Sequence, residues 1–157
     1  MLAAGCGGTS SATSAHDGGT EAAACAADGW RTFEAQHKVF TFRAPCTMSG
    51  GPQQGADSYV GEYADTGMLL DYDYGAYSSD LSEYQSLDSY QKQSVVVGGK
   101  SGYIVTGVNP GSSAGAYVAG LYVPDTGTTG AKLSFVAACD STARQNTAVA
   151  ILKTIAF

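Results

Sequence analysis

Turn-forming clusters cut this chain into short apolar runs, and that punctuation is the strongest limit on its fold. Pro45, the glycine- and proline-containing stretch 48–56, Asp65-Thr66-Gly67, Gly98-Gly99, Asn109-Pro110-Gly111 and Pro124-Asp125-Thr126-Gly127 fall at intervals that suit strands joined by turns. Glycine supplies 21 of the 157 residues, against an ordinary share of about 7%. In residues 38–45, K-V-F-T-F-R-A-P, Phe40, Phe42 and Ala44 share one face while Val39, Thr41 and Arg43 share the other. This is the period of a half-buried strand, and Pro45 ends it because it has no N–H to donate.

Further strands are expected over 29–35, 58–63, 68–74, 94–97, 101–107, 117–123 and 132–138, with 98–99 as a hairpin turn. Leu81, Tyr84, Leu87 and Tyr90 recur every three residues, which predicts a short helix near 87–93, and 48–56 reads as a loop. Asp140-Ser141-Thr142 offers capping oxygens for a final helix on which Ala148, Ile151, Leu152 and Ile155 form one apolar stripe. The expected class is α+β, a mostly antiparallel sheet of about six to seven strands with helical cover.

Composition narrows the function classes. Acidic residues outnumber basic ones 14 to 8, for a net charge of −6. A nucleic-acid module needs a basic stripe, and a polybasic lipid-binding face is equally excluded. No run approaches the ~18 apolar residues of a membrane-spanning helix.

The first residues, M-L-A-A-G-C, resemble the end of a bacterial lipoprotein signal peptide, in which small residues precede a cysteine that receives diacylglycerol. Ala3 stands where that pattern has Leu. The charged and long apolar segments are not among these residues, so the resemblance implies a start upstream or a trimmed leader. Residues 1–5 are then a signal remnant, Cys6 is the lipidated residue, and 6–24 form a Gly/Ser/Thr/Ala tether carrying His16. Residues 25–157 are the globular domain. The address this implies is the cell envelope, facing the periplasm or exterior on a lipid anchor.

An oxidising compartment makes one disulfide the default for the three remaining cysteines. Cys46 and Cys139 each end an expected strand and are the expected pair, while Cys25, at the tether boundary, could join either instead. A bridge between 46 and 139 closes a loop of about 93 residues, worth roughly 4 kcal/mol in the chain-entropy picture. Cysteine spacing supports no zinc site.

Three stretches resemble the PsbP-like superfold, which takes in the Ran-binding Mog protein and small bacterial lipoproteins of the DcrB and LpqN kind. They are F40-T-F-R-A-P45; S58-Y-V-G-E-Y63 with L69-L-D-Y-D-Y-G75 and A76-Y-S-S79; and C139-D140 leading to A148-V-A-I-L-K-T-I-A-F157, with Thr154 where the family has Ser. The resemblance implies an α-β-α sandwich and a binding or assembly role without catalysis. It transfers no catalytic residue.

Candidate chemistry is sparse. Gly111-Ser112-Ser113-Ala114-Gly115 matches the hydrolase elbow, but the strand-turn-helix context is missing and both histidines, His16 and His37, precede the serine. Gly98-Gly99-Lys100-Ser101 echoes a phosphate loop without its first glycine, which leaves the hairpin reading. Asp71 and Asp73 point to one strand face, where Glu62 or Asp65 could join them as a weak calcium site, with Leu70, Tyr72 and Tyr74 turned inward. Tyr74, Tyr77, Tyr84 and Tyr90, in or beside a Ser-rich stretch, are the candidate binding surface. Trp30 reads as a core plug. The expected function is that of a non-catalytic, lipid-anchored envelope protein that binds another protein or supports an assembly, with no cofactor. The alternative is a small-ligand or glycan binder using 72–90.

Overall fold

A computed structural model describes residues 24–112 and 115–157, and Cys6 and His16 lie outside them. Among the described residues nine strands form two antiparallel sheets. The smaller pairs β1 (Trp30–Glu34) with β2 (Thr41–Pro45). The larger has seven strands: β3 (Ser49–Gln53), β4 (Tyr59–Asp65), β5 (Met68–Gly75), β6 (Asp88–Val97), β7 (Lys100–Val108), β8 (Tyr117–Val123) and β9 (Lys132–Cys139). Their spatial order is β3-β4-β5-β9-β8-β7-β6. Two meanders, β3 to β5 and β6 to β9, are thus welded where β9 returns beside β5. One α-helix, α1 (Thr142–Leu152), follows.

The front face carries the main core. Phe42 from β2 meets Tyr63 and Phe135 edge-on, each with ring centroids 5.0 Å apart, and stacks on Phe33 at 5.3 Å. Phe40 meets Tyr72 edge-on at 5.0 Å. Such pairs contribute about 0.5–1.5 kcal/mol each beyond the area they bury. Ser141 caps α1, accepting from the Arg144 N–H at 3.4 Å, and Ala148, Ile151 and Leu152 enter the same core. Two sets of bonds fasten the chain end to β2. Thr154 Oγ1 accepts from the Arg43 N–H at 2.8 Å, and Thr41 and Ala156 exchange backbone bonds at 2.8 and 3.0 Å.

The back face is covered differently. Among the described residues no second α-helix is present, so the helical layer that an α-β-α sandwich would place there is replaced by the connection 76–87. That segment runs from β5 across the sheet to β6 at the far edge. It includes a 3-10 turn, Ser82–Ser86. Leu81 packs with Val105 and Tyr122, and Tyr84, Tyr90, Tyr103 and Val136 surround them. Glycines make the seats. A Cβ on Gly120 would stand 2.9 Å from Leu81 Cδ1, and one on Gly107 would stand 2.7 Å from Leu87 Cβ.

Three local expectations change. Residues 88–97 are a strand, because Leu81 and Leu87 find their apolar contact on the sheet rather than along a helix of their own. The expected loop 48–56 contains β3, whose Ser49–Gln53 backbone pairs with β4 despite Gly50, Gly51 and Pro52. The disulfide joins Cys25 to Cys46, not Cys46 to Cys139. Cys139 closes β9 in the middle of the large sheet, fully buried between Met68 and Tyr117, as a free thiol whose pKa burial pushes up to about 11. Cys46 instead follows β2 on the peripheral sheet, where Trp30 pairs with Pro45 and Cys46 N–H bonds Gly29 O at 2.9 Å.

The Cys25–Cys46 bridge spans 21 residues and closes the open end of the β1–β2 pair, worth about 3 kcal/mol by loop entropy. Replacing both cysteines with alanine is expected to lower the urea unfolding free energy by about that amount. Peptide mapping is expected to show Cys139 alkylated only after denaturation, and Cys25 and Cys46 only after reduction.

Candidate functional site

The tyrosine stretch does not form one surface. Tyr74 is 4% exposed and belongs to the core, its hydroxyl 3.0 Å from both Thr126 and Thr128 oxygens. β5 alternation turns it inward with Leu70 and Tyr72. Tyr84 and Tyr90 are half-buried in the back-face cluster, and burial, then Glu83 and Asp71, raise the Tyr84 pKa. Tyr77 alone, 83% exposed, faces solvent. Lys92 Nζ lies 3.6 Å over the Tyr103 ring, whose hydroxyl donates to Asp80 O, so this end of the connection is pinned.

The carboxylates separate too. Glu62 and Asp71 are direct cross-strand partners on the back face, and Asp73 lies on the same face. Asp65 is on the opposite face, accepting from Thr47 Oγ1 at 3.1 Å and paired with Arg144 at 3.3 Å. Among the described residues no three His, Cys, Asp or Glu side chains are placed to hold a metal ion, so Asp71 and Asp73 lack the converging ligands that calcium requires. Desolvation first, then the Glu62 charge, raises the Asp71 pKa.

The elbow motif lies in the β7–β8 connection with its central Ser113 outside the described residues, and β8 follows it where a hydrolase needs a helix. Gly98 and Gly99, at φ 52° and 76°, form the tight β6–β7 turn.

The best-formed candidate is an open groove of about 380 Å³ between α1 and the front of β6 and β7. It exists because α1 packs chiefly on β8, β9 and β2 and reaches β7 at its margin through Gln145. Ile104, Thr106 and Val108 of β7 and Tyr117 of β8 form the floor. Thr142, Gln145, Asn146 and Val149 of α1 form one wall, and Ser89, Gln91 and Gln93 of β6 form the rim. Gln145 fixes the wall: its Nε2 donates to Gly107 O at 3.1 Å and to Val118 O at 2.7 Å, bridging β7 and β8.

A bulge shapes the rim. Asp88 pairs with Val108 and Gln91 with Thr106, so Ser89 and Tyr90 stand against Gly107 alone. Ser89 takes φ 52° and lines the groove, while Tyr90 joins the back-face cluster. Bulges at sheet edges re-aim side chains in this way, and a left-handed non-glycine residue marks a backbone held by its surroundings. Among the described residues β6 has no strand neighbour beyond the rim, and Val96 is 70% exposed. Sequence reasoning missed the groove because 87–93 read as helix. The available signal was Gln91 and Gln93, amides at alternate positions that a covered strand would fill with apolar groups.

The Asp71 shift has a definite sign. A carboxyl whose pKa rises on folding adds stability below its unfolded value, about 3.9, and loses it as pH climbs through the folded value. Asp71→Asn is therefore expected to raise the urea midpoint at pH 7, with the gain vanishing below about pH 3.9. A pH-independent effect would show that ionisation is not its cause. Against protein-family models, curated proteins and solved structures the chain finds no match.

Proposed function

We propose that this chain is a non-catalytic, lipid-tethered envelope protein that binds an extended segment of another envelope protein along β6. The observation that carries this reading is the ten-residue edge strand with an amide-lined groove beside it. An open edge is a template for strand addition, in which backbone bonds give affinity and alternate side chains give specificity. Gln91, Gln93 and Asn146 hydrogen-bond without titrating near neutral pH, so the matching segment carries short polar side chains at every second position.

The Cys25–Cys46 bridge suits an oxidising compartment, and the M-L-A-A-G-C start supplies the tether. The PsbP-like likeness of the motifs at 40–45, 58–79 and 139–157 points the same way, toward binding or assembly. With Tyr74 buried and Tyr84 and Tyr90 half-buried, the stretch 72–90 offers no continuous tyrosine surface for the glycan alternative.

Two measurements test the reading. Cys6→Ser in the full-length gene is expected to move the protein from the membrane to the soluble fraction, and unchanged fractionation sinks the tether. Peptides selected from a random library are expected to slow hydrogen exchange of the β6 amides. Gln93→Arg should weaken them about tenfold with an unchanged unfolding midpoint. Failure to select any peptide, protection elsewhere, or a β6-paired homodimer by sedimentation would overturn the proposed partner.

A further inference from the structure

A second cleft, of about 500 Å³, lies at the opposite end of the strands, where β4 starts, β5 ends and the 128–131 turn leads into β9. One side is the 3-10 turn Gln36–Lys38, and the other is the loop 54–58. Gly75 brings that loop close, since a Cβ there would stand 2.7 Å from Ser58 Cβ.

Three independent features mark the cleft. Gln36 Oε1 is buried and has no hydrogen-bond partner, although the Gln36 N–H donates to the Tyr72 hydroxyl at 3.1 Å. A buried acceptor left without a donor calls for a specific explanation. His37 and Lys38 are consecutive non-glycine residues at φ 54° and 57°, a conformation that L side chains avoid. The bend holds the His37 imidazole 4.9 Å from the Tyr59 ring, tilted by 50°, and Tyr59 is 37% exposed. Thr128 Oγ1 accepts from the Tyr74 hydroxyl at 3.0 Å, which leaves its own proton to donate.

The lining chemistry selects a ligand class. Gln36 Oε1 and the Asp57 carboxylate need donors, Thr128 and Ser58 offer hydroxyls, and Tyr59 with His37 presents aromatic surface. Asp57 is the charged carboxylate there, and no Lys or Arg is among the lining residues described, so a phosphate or other anion is disfavoured. A sugar ring carries neighbouring hydroxyls that both donate and accept, together with C–H faces that lie on aromatic rings. We infer that this cleft binds a short saccharide of one or two pyranose rings, held by Gln36, Asp57 and Thr128 against Tyr59.

The test is an NMR titration of the isotope-labelled full chain with maltose and with N,N′-diacetylchitobiose into the millimolar range. The expected result is saturable shifts at the amides of 36–38, 54–59 and 128–131 with at least one of the two sugars. Asp57→Asn and Gln36→Leu should each weaken binding about tenfold, as loss of a hydrogen bond to a charged or buried group does. Gln36→Leu removes an unpartnered acceptor, so its thermal midpoint should stay equal or rise, which separates lost binding from lost folding. Gln93→Arg in the β6 groove should leave saccharide binding unchanged, so this site and the peptide site fail independently. The inference is overturned if neither sugar shifts these amides, if the shifts lie elsewhere, or if both variants bind as tightly as the parent. Stronger shifts at the same amides with inorganic phosphate would also overturn it.

Discussion

The fold depends on the insertion of Phe40 and Phe42 into the aromatic front of the large sheet. Phe42 is ringed by Phe33, Tyr63 and Phe135, and Phe40 by Tyr72, Tyr74 and Phe135. β2 is therefore the part that turns an open sheet into a two-layered domain. The other attachments support that insertion. The disulfide closes the β1–β2 pair at one end, while Thr154 and Ala156 bring the chain terminus onto the same strand. Helix, terminus and small sheet thus share one anchor.

The back face shows how an antiparallel sheet can be roofed without a helix. Leu81 and Leu87 need close approach to the backbone, and the strands provide it where Gly120 and Gly107 lack a Cβ. Gly107 serves twice, because it is also the single residue facing the Ser89–Tyr90 bulge. The same local geometry therefore seats the crossing segment, sends Tyr90 to the back and leaves Ser89 on the groove rim. Coverage of one face and the shape of a site on the other are coupled through a two-residue irregularity.

The two concavities differ in how they are held. The β6 groove results from incomplete coverage by α1, whose Gln145 is clamped to two carbonyls, so its wall is rigid and its rim is an open edge. The second cleft rests on backbone conformations that cost energy, at His37 and Lys38, and on an acceptor, Gln36 Oε1, with no partner of its own. A permanent cost kept in a small domain fits a site better than a scaffold.

Period-two alternation made the central strands and the inward turn of Leu70, Tyr72 and Tyr74 legible, because one buried face imprints its pattern directly on the residues. Capping chemistry and the apolar stripe likewise located α1: of the capping residues 140–142 Ser141 is the cap, and Ile155 of the stripe lies beyond the helix end. Those are local properties, decided within a few residues. The partner of Cys46, the strand conformation of 88–93, the half-burial of Tyr84 and Tyr90 and the existence of both clefts were decided only by tertiary structure. Each depends on which strand lies beside which, and the order β3-β4-β5-β9-β8-β7-β6 brings together residues far apart in the chain. Three-residue spacing of Leu81, Tyr84, Leu87 and Tyr90 cannot distinguish a helix from a segment laid over a sheet, since both bury the same side chains. The surface that receives them makes the choice.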